Sequence, residues 1–158
     1  MIVVSDTSPV LNLAAVGKLH LLLLHDVYGE ILIPPAVKGE LFRNAIQADA
    51  SWIRLVAAQN QIDVARLRQQ LDPAEAEAMV VAVELGAELL LVDEKRGRSV
   101  ALHRGLRVTG LLGVLAEAKA RALRSRCQPV LDDMINLAGF WIGDDLRSRY
   151  LRALNEID

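Results

Sequence analysis

Short apolar runs alternate with longer amphipathic stretches along the whole chain. Five runs are too short for helices and are bounded by turn residues: "IVVS" at 2–5, "EILIP" at 30–34, "WIRLVA" at 52–57, "ELLLVD" at 88–93 and "LRVTG" at 106–110. Each predicts a β-strand. Between them the spacing of apolar positions changes to helical. Helices are predicted from about Pro9 to Val16, over "KLHLLLLHD", from Pro34-Pro35 to about Asn44, and over "IDVARLRQQL". Asp72-Pro73 reads as an N-cap and first turn for "AEAEAMVVAVEL", which Gly86 ends. "EKRGRSVALHRG", closed by Gly105, and "LLGVLAEAKARAL" follow, and the last thirty or so residues predict two more helices split near "AGFWIGDD". Wholly apolar strands separated by helices indicate a mostly parallel sheet of about four to five strands covered on both faces, an α/β fold. No repeat, low-complexity segment or linker divides the chain, so residues 1–158 are expected to form a single domain, with about 127–158 as a C-terminal helical extension.

Composition refines this picture. The 158 residues are 53% hydrophobic but only 4% aromatic, which predicts an aliphatic core. "LHLLLLHDV" is too short and too interrupted to span a bilayer. No secretory signal is expected, because the N-terminus lacks a basic region and its first apolar run meets Asp6. The lone Cys127 excludes an intramolecular disulfide and fits a reducing, cytoplasmic compartment. Net charge is only −2. Its distribution is uneven: residues 1–94 carry 6 Lys/Arg against 13 Asp/Glu, whereas residues 95–126 carry 9 against Glu117 alone. A basic block in an otherwise acidic chain is either a solvated helix surface or a patch that attracts a polyanion.

The candidate chemistry lies in the acids. Two predicted strands end on an aspartate, "IVVSD" at Asp6 and "LLLVD" at Asp93. A carboxylate at the end of a buried strand needs a compensating partner. Asp6 could cap the helix that follows, with Pro9 in its first turn. Alternatively, both aspartates face one crevice beyond the carboxyl ends of the strands, where open parallel sheets bind ligands. Glu40, beside Leu41 and three residues after Val37, borders the apolar face of its helix. Glu75 sits in the first turn of the next long helix, where an acid also has a purely structural use. Four carboxylates meeting at one place raise one another's pKa unless a cation neutralises them. Oxygen-only ligands select a hard divalent ion, Mg²⁺ or Mn²⁺ rather than Zn²⁺. His20, His25 and His103 have no metal-ligand spacing and read as ordinary, partly exposed residues.

Taken together, "DTSPVLNLA" at 6–14, "YGEILIPPAVKGEL", "AEAEAMVVAVELGAELLLVDEKRGR" at 74–98, "VTGLLGVL" and "AGFWIGDDLRSRYLRAL" resemble the PIN-domain family, in particular its prokaryotic DUF3368-like branch. The resemblance covers nearly the whole chain. It implies a metal-dependent ribonuclease in which Asp6, Glu40, Glu75 and Asp93 are catalytic acids and hold one or two Mg²⁺ or Mn²⁺ ions. Glu77 and Glu94 are nearby alternatives, and Thr7 and Ser8 would hydrogen-bond the carboxylates or a metal water. In that setting Lys95, Arg96 and Arg98, directly after Asp93, become phosphate-binding residues at the rim of the crevice. Lys119, Arg121, Arg124 and Arg126 stay with the solvated surface. The resemblance further implies a toxin of a type II toxin–antitoxin pair, a partner antitoxin and a homodimer. A PIN fold that only binds RNA or protein, without catalysis, is the alternative. A haloacid-dehalogenase-like phosphatase needs a second acid two residues after the first, where this chain has Ser8. A receiver-like domain needs paired acids that "SDTS" does not supply.

Overall fold

The computed structural model describes residues 1–158, apart from the side chains of Lys18 and Leu19. All five predicted strands form: β1 (Val3–Ser5), β2 (Ile31–Ile33), β3 (Ile53–Leu55), β4 (Leu89–Leu91) and β5 (Val108–Thr109). They build one wholly parallel sheet in the order β3-β2-β1-β4-β5. β1 lies at its centre, with Val4 opposite Leu32 of β2 on one side and Leu90 of β4 on the other. Residues on both faces of β1 and β2 are buried, which accounts for their unbroken apolar sequences. Burying each such Val, Leu or Ile contributes about 1.5–3 kcal/mol.

Nine helices occur among the described residues. α1 (Thr7–Ala15) and α2 (Lys18–Tyr28) lead from β1 to β2, and α3 (Pro35–Arg43) leads from β2 to β3. α4 (Gln61–Leu67) and α5 (Pro73–Glu84) return the chain to β4, and α6 (Lys95–His103) connects it to β5. α7 (Leu111–Ala120), α8 (Gln128–Leu137) and α9 (Asp144–Ala153) complete the chain. The direction of travel along the sheet reverses after β3, so the right-handed rule for parallel crossovers assigns α1 to α3 and α4 to α6 to opposite faces. α3 packs on both α1 and α5 and so sits where the two layers meet. Gly86 (φ 59°) and Gly105 (φ 76°) follow α5 and α6 in the left-handed conformation expected of helix-ending glycines. Helix α1 begins at Thr7, two residues earlier than Pro9 suggested. Proline is tolerated throughout a first turn, whose N–H groups have no partner within the helix.

Candidate metal centre

The strand order reverses between β1 and β4, which are neighbours although α1 to α5 separate them in the chain. Connections leave these two strands in opposite directions, so a crevice opens beyond their carboxyl ends. Asp6 and Asp93 stand on its two sides. Their backbones are held in place: Asp6 N–H donates to Leu91 O at 2.9 Å, and Val92 N–H donates to Thr109 O at 2.9 Å.

Asp6 occupies the N-cap position of α1, yet its side chain accepts no capping hydrogen bond. Its Oδ1 is buried without a partner, and the residue is only 5% exposed. Burial pushes its pKa up to about 7. The Thr7 N–H works in the opposite direction, and the charges of Asp72, Glu40 and Asp93 raise it further. An aspartate whose only task was to cap would keep its carboxylate on the helix amides. Thr7 Oγ1 donates to Glu40 Oε2 at 2.7 Å, joining the start of α1 to α3 and orienting the half-buried Glu40. Ser8 makes no side-chain hydrogen bond to the acids among the described residues; its carbonyl accepts from Asn12 Nδ2 at 2.9 Å within α1.

Glu75 is 5% exposed in the first turn of α5. Asp72 caps that helix, accepting the Glu75 N–H at 2.8 Å. The carboxylates of Asp72, Glu75 and Glu94 then lie within 4.8 Å of one another. Burial raises the Glu75 pKa most; hydrogen bonds shared with Glu94 and Asp72, and the charges of Asp72 and Asp6, push in the same direction. The approach of α6 is close: a Cβ on Gly97 would meet Glu75 Oε2 at 3.0 Å and Val92 Cγ2 at 3.0 Å.

Asp93 divides its oxygens between two roles. Its Oδ1 accepts from Leu111 N–H at 2.7 Å at the start of α7, whereas Oδ2 is buried without a partner. Burial raises this carboxyl, opposed by the Leu111 N–H and the Arg98 guanidinium. Gly110 makes the contact to Leu111 feasible, since a Cβ there would lie 2.6 Å from Asp93 Oδ1.

Asp6 feels the charges of Asp72, Glu40 and Asp93, and Glu75 those of Asp72 and Asp6; the close carboxylate group among the described residues is Asp72, Glu75 and Glu94, with Asp72 and Glu94 exposed. Glu77 lies elsewhere. Its Oε2 accepts the Ala36 N–H at 2.9 Å and neutralises the first turn of α3, because residues two apart on a helix point to different sides. Asp72 was not among the expected site acids. Its role as a cap was legible, and the Asp-x-x-Glu spacing of "DPAE" held a second signal, since cap and third-residue side chains converge in a capping box. Lys95, Arg96 and Arg98 are exposed on α6, and none forms an ion pair among the described residues. The later cations are committed elsewhere: Lys119 and Arg126 pair with Glu156, Arg121 with Glu117, and Arg124 donates to the Leu123 carbonyl.

The donor set is suited to a hard cation. It is all carboxylate, it contains two buried oxygens without partners, and burial raises the carboxyls of Asp6, Glu75 and Asp93, with neighbouring acids adding to the rise at Asp6 and Glu75.

A family model, DUF3368, described as a PIN domain, matches residues 2–156. No curated protein and no solved structure matches the chain. A match of that extent, on a parallel sheet with acids gathered at its reversal point, makes this chain a member of the PIN-domain family.

Proposed function

We propose that the protein is a divalent-metal-dependent ribonuclease that hydrolyses RNA phosphodiester bonds, with Asp6, Glu40, Glu75 and Asp93 holding one or two Mg²⁺ or Mn²⁺ ions. PIN domains are a nuclease-type family. The observation that carries the reading is the pair of buried, partnerless oxygens, Asp6 Oδ1 and Asp93 Oδ2, at the strand-order reversal. Each such atom costs about 1–3 kcal/mol if nothing satisfies it. A chain that keeps two of them among further acids gives up stability for a binding site.

These carboxylates would hold the divalent cation, whose chemistry would be to lower the pKa of a coordinated water and offset charge on the phosphate. The chain's own residues prepare the place. The ends of β1 and β4 carry Asp6 and Asp93, Thr7 bonds Glu40, and the Leu111 N–H occupies one Asp93 oxygen while the other is buried without a partner. Asp72 and Glu94 add negative charge around Glu75. Lys95, Arg96 and Arg98 offset the repulsion that this charge exerts on an incoming polyanion. The sequence resemblance extends the proposal to a toxin restrained by an antitoxin protein and acting as a homodimer.

Incubating the purified protein with labelled single-stranded RNA tests the reaction. Cleavage is expected with Mg²⁺ or Mn²⁺, none with excess chelator, and a loss on the order of 100-fold or more in Asp6→Asn or Asp93→Asn, since even outer-shell changes at metal sites cost 10–100-fold. Undiminished cleavage in chelator would overturn the metal mechanism.

A further inference from the structure

Directly beside Asp93 the protein has a second, chemically different cavity, of about 180 Å³. Its lining combines the charged Asp93 and Arg98 with the apolar Leu112, Phe140, Trp141 and Leu146. Trp141 is 84% exposed, while Phe140 beside it packs on the core. The apolar part of the lining is anchored. Tyr150 Oη donates to the Leu112 carbonyl at 2.6 Å, and Arg147 pairs with Asp132 at 2.7 Å, tying α9 to α7 and α8. An exposed indole and a guanidinium without an ion pair thus line the same cavity. A flat apolar face suits an aromatic ring, and a guanidinium suits a phosphate.

We propose that this cavity is a nucleobase subsite, in which Trp141 stacks one base of a single-stranded RNA while Arg98 binds the adjoining phosphate. The inference rests on the nuclease reading and adds to it a determinant of substrate form. The cavity is smaller than the roughly 300–1,000 Å³ of drug-sized pockets, which suits one planar ring system. Its continuity with Asp93 places the base next to the phosphate presented to the acids. A base inside a duplex is already stacked and cannot lie on Trp141, so the subsite selects unpaired strands. Stacking reads no hydrogen-bond pattern, so selection by base identity here is weak.

The chain has two tryptophans, and Trp52 stands against His25 on another part of the molecule. In the Trp52→Phe protein, Trp141 is therefore the only indole emitter. The test titrates that protein with a six-nucleotide single-stranded oligouridylate and follows both Trp141 fluorescence and the anisotropy of a label on the RNA. Ca²⁺ replaces Mg²⁺, since it takes the same oxygen ligands without strict octahedral geometry, and strand integrity is checked on a gel. Quenching that tracks binding is expected. Trp141→Ala should weaken binding roughly 5- to 150-fold, and Trp141→Tyr should restore most of it. The salt slope should stay unchanged in Trp141→Ala but flatten in Arg98→Ala, because only the arginine displaces counterions. Binding with no quenching and no effect of Trp141→Ala would overturn the subsite and leave the nuclease reading standing. Failure of the wild-type protein to bind or cleave any RNA would instead defeat the nuclease reading. A dimer in sedimentation that Trp141→Ala dissociates would show the indole covered by a second copy, and would also overturn the subsite.

Discussion

At the scale of single residues, the energetics of the crevice centre on Asp6. Its carboxyl pKa is about 7 in the folded chain against 3.8 for the free side chain. A carboxyl raised by folding stabilises fully below the unfolded value, and that contribution is lost as pH rises through the folded one. Metal-free protein should therefore lose stability between about pH 4 and pH 7, by at most about 4 kcal/mol from this residue. Asp93 and Glu75 shift in the same direction and add to the slope. Asp6→Asn keeps the shape and removes the charge. Without metal at pH 8 the variant should be at least as stable as wild type, and its stability should vary less with pH. Added Mg²⁺ should raise the melting temperature of wild type by ligand linkage, and that of the variant much less. Thermal melts across pH, with and without Mg²⁺, check both expectations. A clear loss of stability in the metal-free variant would make Asp6 a structural residue.

Whole elements hold these side chains in place, and two contacts show how. Helix α7 meets the crevice through Gly110 and Leu111, so Gly110→Ala would drive a Cβ into Asp93 Oδ1. That carboxyl must then give up the Leu111 N–H. The expected result is a 10–100-fold fall in activity and a stability cost of about 1–3 kcal/mol. Gly97→Ala brings its Cβ to 3.0 Å from Glu75 Oε2 and Val92 Cγ2, a looser approach than at Gly110, and should be milder in both assays. At the other end of the chain, Glu156 accepts the Cys127 and Gln128 N–H groups at 2.8 and 2.9 Å and pairs with Lys119, closing the start of α8. Burial pushes its carboxyl up, but the two amides and Lys119 outweigh burial and hold it below the usual glutamate range. A depressed carboxyl stabilises above its unfolded pKa and loses that effect as pH falls through the folded one. Glu156→Ala should cost about 1–3 kcal/mol at pH 7 and much less near pH 3, as read by urea unfolding at the two pH values.

Across the whole molecule, charge is sorted by where the fold can use it. Acids gather at the reversal point of the sheet, and the uncommitted cations Lys95, Arg96 and Arg98 follow on α6. Further along, Arg104 pairs with Asp63 of α4, Arg121 with Glu117 of α7, and Lys119 and Arg126 with Glu156 near the C-terminus. Replacing Lys95, Arg96 and Arg98 with Ala should weaken RNA binding and reduce the slope of log affinity against log salt by about 2, since each phosphate contact on a single strand contributes about 0.7. An unchanged slope in the triple variant would return the three residues to ordinary surface. No described helix is long and apolar enough to cross a membrane.

The amino-acid sequence by itself determined the alternation of strands and helices. Apolar runs at period two or unbroken, helix periodicity, proline starts and glycine stops are properties of neighbouring residues, and they survive whatever the chain packs against. It also determined that Asp6 and Asp93 stand at strand ends and that Asp72 caps α5. Three other features were decided only by the tertiary structure. β1 and β4 became neighbours because the chain crosses back under right-handed connections, which no local pattern encodes. Asp72 joined the acid cluster while Glu77 was turned to the N-terminus of α3, because side-chain direction on a helix matters only once its neighbours are in place. Finally, the cations of 95–126 were divided between paired and free by the distant Asp63 and Glu156 and the nearby Glu117, since an ion pair depends on distance in space and not along the chain.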